Sequence, residues 1–138
     1  MHLKIITPLK TALDTEVLGI QLPGTEGEME ILPGHADLIT SVANGELIYR
    51  AKADGTRKSL FVGGGFLQVE TDHILLVTDT ALEAADINTD TVEEAIARAK
   101  EAIKNASSVM SREELTFLEA SISKQMAMLD FRKKYRRP

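Results

Sequence analysis

No cysteine occurs anywhere in the 138 residues. Disulfides, thiolate zinc sites and cysteine nucleophiles are therefore excluded, and the composition fits a reducing compartment. Tryptophan is also absent and aromatic residues make up only 4% of the chain, so any core must be built from Leu, Ile, Val and Ala. No apolar run approaches the roughly 20 residues that span a bilayer. The N-terminal MHLKIITPLK has neither the apolar stretch and cleavage site of a secretory signal nor the Arg-rich, acid-poor character of a transit peptide. A soluble cytoplasmic chain with no transmembrane segment is expected.

Chemistry is sparse as well. The three histidines, His2, His35 and His73, have no HxH or HxxxH spacing, and no cysteine can complete a metal site. The Gly-rich segment VGGGF, residues 62–66, lacks the Lys-Ser/Thr of a phosphate-binding loop and leads into a strand. A β-bulge or tight strand crossing, where only glycine fits, is the expected reason for it. There is no Gly-x-Ser-x-Gly elbow, and no carboxylate pair is marked out as acid and base. Together these absences point away from an enzyme, a metal centre or a bound cofactor.

What the chain does have is charge, unevenly placed. The net charge is −5; residues 1–85 carry 6 basic and 12 acidic side chains, and residues 86–138 carry 10 and 9. The acidic first part would repel nucleic-acid phosphates. The ending DFRKKYRRP sets five basic groups against one acid. That tail suits an acidic partner, or equally a helix end that complements its own dipole.

Two hydrophobic periods divide the chain. Up to about residue 85, the runs LKIIT, TEVLGIQLP, ELIYRAKA, KSLFVGG, FLQVET and HILLVTD read as strands. Turn signals separate them at Pro23-Gly24, Pro33-Gly34, Asn44-Gly45, Asp54-Gly55 and Thr71-Asp72. Such spacing predicts an antiparallel β-sandwich or barrel. Beyond Asp86 the apolar residues Val92, Ala95, Ile96, Ala99, Ala102, Ile103 and Ala106 fall at helical intervals, with Thr91 and Glu94 as a capping box. A second capping box, Ser111 with Glu114, opens another helix whose stripe is Leu115, Leu118, Ile122, Met126 and Leu129, running to about Lys134. The expected architecture is a β-sandwich over residues 1–86 followed by an antiparallel two-helix hairpin over residues 87–138. Because the first helix faces its partner largely with alanine, the hairpin buries little area and should open more easily than the sandwich. A polar, turn-rich face at PGTEGEMEILPGH, residues 23–35, completes the picture of an interaction module.

The segments GTEGEMEILPGHADLITSVANGEL and FVGGGFLQVETDHILLVTDTA, followed by an Ala-rich helical hairpin, closely resemble the epsilon subunits of bacterial F-type ATP synthases, to which chloroplast epsilon and mitochondrial delta subunits are similar. The resemblance covers the whole chain. It implies a non-catalytic rotor subunit at the foot of the central stalk, peripheral on the cytoplasmic face of the bacterial inner membrane. The sandwich would pack on the gamma subunit and the polar loops of the c-ring, coupling ion flow to ATP synthesis. The hairpin would fold down, or extend into the catalytic head and block ATP hydrolysis. By the same resemblance Glu28 and His35 are rotor contacts, with Glu26 and Asp37 as weaker candidates. Pro33, Gly34 and His35 as mere turn-formers is the plainer reading. Arg132, Lys133, Lys134, Arg136 and Arg137 would press on an acidic segment of the catalytic beta subunit, with alpha alongside, an ionic contact that salt would screen.

The sequence departs from the family at two places. Many relatives have glycine where this chain has Glu30. Some bacterial relatives bind ATP on the folded hairpin through an aliphatic-Asp-x-x-Arg-Ala motif, and neither Ile87–Val92 nor the frame that places Arg98-Ala99 supplies both the Asp and the Arg. Weak or no ATP binding is expected, which leaves a nucleotide-sensing regulatory module as the alternative reading.

Overall fold

The computed structural model describes residues 1–106 and 108–135. They fall into two compact units, Met1–Glu83 and a second from Ala84 onward.

The first unit is built of β-branched and aliphatic runs that alternate inward and outward. Its strands are β1 (His2–Ile6), β2 (Thr11–Gly24), β3 (Gly27–Ile31), β4 (Leu38–Ala51), β5 (Arg57–Glu70), β6 (His73–Thr78) and β7 (Ala81–Leu82). They form one sheet in the order β1-β6-β5-β4-β2-β3, with β7 on β5, and a β1–β2 pairing closes it into a barrel-like sandwich. All pairs are antiparallel except β1–β6. The closed ring β1-β6-β5-β4-β2 has an odd number of strands, so directions cannot alternate all the way round and one pair must run parallel. Leu3, Ile5, Val17, Ile20, Leu22, Leu47, Leu67 and Leu76 fill the core, joined by the buried Tyr49. The core is aliphatic, as the shortage of aromatics requires.

Three strands are 14 residues long instead of the short runs the turn signals suggest. Asn44-Gly45 is not a turn: it lies inside β4, paired with Gly63 and Val62. Glycine is used there for space, because a Cβ on Gly45 would sit 3.0 Å from the Pro23 ring. Pro23-Gly24 is the end of β2, and the turn falls on Thr25-Glu26. VGGGF is where β5 changes partner, from β6 at Gly65↔Thr78 to β7 at Val62↔Ala81.

In the second unit a 3₁₀ turn, Ala84–Asp86, precedes α1 (Thr89–Ala106) and α2 (Arg112–Lys134), which pack on one another. The Asn88 side chain, and not Thr91, caps α1: its Oδ1 accepts the Thr91 amide at 3.1 Å. Ser111 caps α2 as expected, its Oγ accepting the Glu114 amide at 3.1 Å. Half-buried Ala95, Ile96, Ala99, Ile103 and Ala106 follow buried Val92 along α1, whereas Ala102 is exposed. Along α2, Leu115, Leu118, Ile122 and Leu129 face inward with buried Met128, but Met126 turns outward. Met126 is 50% exposed although i+4 from Ile122 is a position of the same face.

Candidate functional site

β2 and β3 make a hairpin whose register pairs Gly24 with Gly27, leaving Thr25 and Glu26 as its tip. β3 is an edge strand. Alternation points Met29 and Ile31 inward and leaves Glu28 and Glu30 on the exposed side, where charge guards an open edge against unwanted pairing. Glu30 accepts a long hydrogen bond, 3.5 Å, from the Gln21 amide.

The Pro33-Gly34 turn then brings the His35 amide onto the Leu32 carbonyl at 3.1 Å. The His35 ring is exposed, with Nδ1 2.7 Å from the Ala36 carbonyl. A carbonyl only accepts, so Nδ1 carries the hydrogen of this bond. Asp37 has an internal task. Its Oδ1 accepts the Thr71 amide at 3.2 Å, while His73 Nδ1 donates to the Thr71 carbonyl at 3.0 Å. These bonds brace the two-residue β5–β6 turn, in which Thr71 and Asp72 both have positive φ. His35 and Asp37 line one cleft of about 210 Å³ together with Met1, Val69, Thr71 and Asp72; Glu26 and Glu28 stand outside it.

The tail cations occupy the last turn of α2, where positive charge suits the carbonyl end of the helix. Arg132 is half-buried, while Lys133 and Lys134 are exposed. The Lys134 ammonium lies 5.6 Å from the centre of the Tyr135 ring, which itself packs 5.0 Å from the Phe131 ring. Arg136 and Arg137 lie outside the described residues.

The family model for the ATP synthase delta/epsilon chain β-sandwich domain matches residues 1–84. Over 97% of both chains, the sequence is 33% identical to an ATP synthase epsilon chain of Delftia acidovorans. The chain belongs to the ATP synthase delta/epsilon family. An epsilon chain of Geotalea daltonii is 38% identical over 75% of this chain and 74% of its own. In fold, a chain in a structure of the Euglena gracilis mitochondrial ATP synthase matches 93% of this chain and 78% of its own, with a TM-score of 0.72 at 22% identity. A chain from the central stalk and c-ring of the Tetrahymena thermophila enzyme matches 94% of each, with a TM-score of 0.68 at 12% identity. Among the described residues no helix is long and apolar enough to cross a membrane.

Sequence reading of this epsilon-type chain missed a second surface. Ile39, Phe66 and Val77 are 74%, 65% and 48% exposed on the neighbouring strands β4, β5 and β6. Phe66 pairs directly with Val77 and with Ser41, two residues along β4 from Ile39. The signal was present: Leu67 and Val69 point inward, so period-two alternation places Phe66 outward. Together the three form an exposed apolar strip across neighbouring strands.

A polar clasp ties β1 to β2 on the outside of the sheet. His2 bonds Glu16 through Nδ1 at 2.8 Å and Asp14 through Nε2, and the N-terminal ammonium lies 3.8 Å from Glu16. With carboxylates on both nitrogens, the ring is held as imidazolium. Glu16 first and Asp14 second raise the His2 pKa above the usual 6.5, and the bond to His2 is the main cause lowering Glu16 below 4.5. The raised histidine contributes fully below 6.5, and its contribution is lost as pH rises through its folded value. The lowered glutamate contributes above 4.5 and is lost as pH falls through its own folded value. Stability is therefore expected to decline above pH 6.5 in the parent, and thermal unfolding of His2→Gln should lose that decline. An unchanged alkaline slope would contradict the clasp.

Proposed function

We propose that this chain is a non-catalytic rotor subunit of an F-type ATP synthase, attached at the cytoplasmic face of a bacterial membrane. It couples ion movement through the c-ring to ATP synthesis in the catalytic head. The observation that carries this reading is a match to epsilon chains over 97% of the chain, which includes both units. In this reading the apolar strip of Ile39, Phe66 and Val77 packs on the gamma subunit. Glu26 at the hairpin tip, Glu28 on the edge strand and the exposed ring of His35 meet gamma and the polar loops of the c-ring. Asp37 acts there chiefly by holding the Thr71 turn. The helical unit is the regulatory arm, which extends to block ATP hydrolysis. Arg132, Lys133, Lys134, Arg136 and Arg137 then contact the catalytic beta and alpha subunits.

A charge placed in the apolar strip tests the docking. Burying Phe66 in an interface contributes about 2 kcal/mol or more, and an aspartate there would also be desolvated. Phe66→Asp is expected to weaken binding to the gamma subunit by at least about 100-fold with the fold intact, as read by titration calorimetry. Wild-type affinity in that variant would remove the strip from the interface.

A further inference from the structure

We propose that the outer face of β2–β5 holds a binding site for a small amphiphilic anion: a carboxylate or phosphate group carried on a short apolar body. The feature behind it is a missing side chain. Across the sheet, one outward row runs from Leu32, just after β3, through Gly19 on β2 and Arg50 on β4 to Arg57 on β5; Gly19 pairs with Arg50, and Arg50 with Arg57. Gly19 contributes no side chain to this row, and the Leu32 side chain closes down onto its backbone, with its Cδ2 2.9 Å from where a Cβ would stand. The β2–β4 register also slips between Val17 and Gly19. The result is a cleft of about 360 Å³ walled by Leu18, Leu32, Ile48 and the two arginines. That volume suits a small ligand.

The charge of the cleft is as unusual as its shape. Residues 1–85 are acidic overall, yet four of their six basic side chains, Arg50, Lys52, Arg57 and Lys58, sit on this one β4–β5 hairpin. Arg50 and Arg57 are cross-strand partners, a like-charge placement that destabilises a sheet. Among the described residues neither has an ion-pair partner, whereas His2 and the N-terminus are paired with carboxylates. Asp54, in the turn between them, is engaged by Thr56, whose amide and hydroxyl donate to its Oδ1 at 3.0 and 2.7 Å. The Glu30 carboxylate also lines the cleft, where it accepts from Gln21. Two guanidinium groups side by side fit one carboxylate or phosphate, and the cleft between Leu18, Leu32 and Ile48 takes the apolar body.

The test is an NMR titration of the full chain with octanoate, with inorganic phosphate, and with phosphatidylglycerol or phosphatidylcholine vesicles. Octanoate is expected to shift the Gly19, Leu32, Arg50 and Arg57 signals saturably and to bind at least tenfold tighter than phosphate. Arg50→Gln with Arg57→Gln should weaken it at least tenfold. Gly19→Ala, whose methyl group displaces Leu32 from its seat without changing charge, should weaken it severalfold. Binding to phosphatidylglycerol vesicles alone, lost in the double arginine variant, assigns the anion to a lipid headgroup instead of a free molecule. No binding of octanoate or of phosphatidylglycerol vesicles overturns the proposal. So does binding that survives in the folded double variant, or phosphate binding as tightly as octanoate.

Discussion

Gly65→Ala is expected to destabilise the β unit by about 3 kcal/mol or more, the cost of forcing a collision into a packed site. At the point where β5 leaves β6 for β7, a Cβ on Gly65 would stand 1.9 Å from the Val77 carbonyl oxygen and 2.9 Å from its carbon. Both are backbone atoms of a paired strand, so no side-chain rotation can relieve the contact. The φ of +147° at Gly65 adds a conformation that side-chain-bearing residues rarely adopt. Gly55→Ala is the matched control. Gly55 has a φ of +70° but no atom within 4 Å of a Cβ, so it carries the left-handed penalty alone, about 1–2 kcal/mol. For a unit of this size 3 kcal/mol corresponds to a fall of roughly 15 °C in melting temperature. Equal losses in the two variants by thermal unfolding would mean that the crowding at Val77 is not felt.

The second large effect is a difference in stability between the two units. In native-state hydrogen exchange, the amides of α1 and α2 are expected to open at least about 100-fold more often than those of β4 and β5, or about 2.7 kcal/mol. The β unit closes one cluster around Leu3, Ile5, Val17, Leu22, Leu67 and Leu76. Within α1 only Val92 is buried, and within α2 only Met128 and Phe131. Half of the partly buried positions of α1 are alanine, each contributing little more than a methyl group. Caps at Asn88 and Ser111 hold the helix starts but contribute only about 1 kcal/mol each. Equal protection in helices and strands would contradict an arm that opens by itself.

The division into a β part and a helical part was legible because the hydrophobic period changes from two to 3.6 near Asp86. Turn chemistry was legible where the backbone needs it, at Asp54-Gly55 and Thr71-Asp72. It misled at Asn44-Gly45, where glycine serves the close approach of Pro23, a long-range contact that local pattern does not contain. The cap of α1 was misplaced because Thr91 and Glu94 mimic a capping box, while Asn88 three residues earlier does the work. At the candidate site, the acidic β2–β3 hairpin and the His35 turn stood out as turn-rich polar segments. The bracing of Thr71 by Asp37 spans 34 residues and emerges only when β5 and β6 are folded against the loop. The strip of Ile39, Phe66 and Val77 needed strand register to bring three separate residues together.

The most direct measurement is ATP hydrolysis by the matching catalytic head, stripped of its own epsilon subunit, after adding back either the full chain or residues 1–86. The shorter chain retains the closed sheet and its core, so it tests the arm alone. The account predicts that both bind and that only the full chain inhibits. Inhibition by neither, with both bound, would contradict the regulatory role of the helices, and binding by neither would contradict the rotor assignment itself.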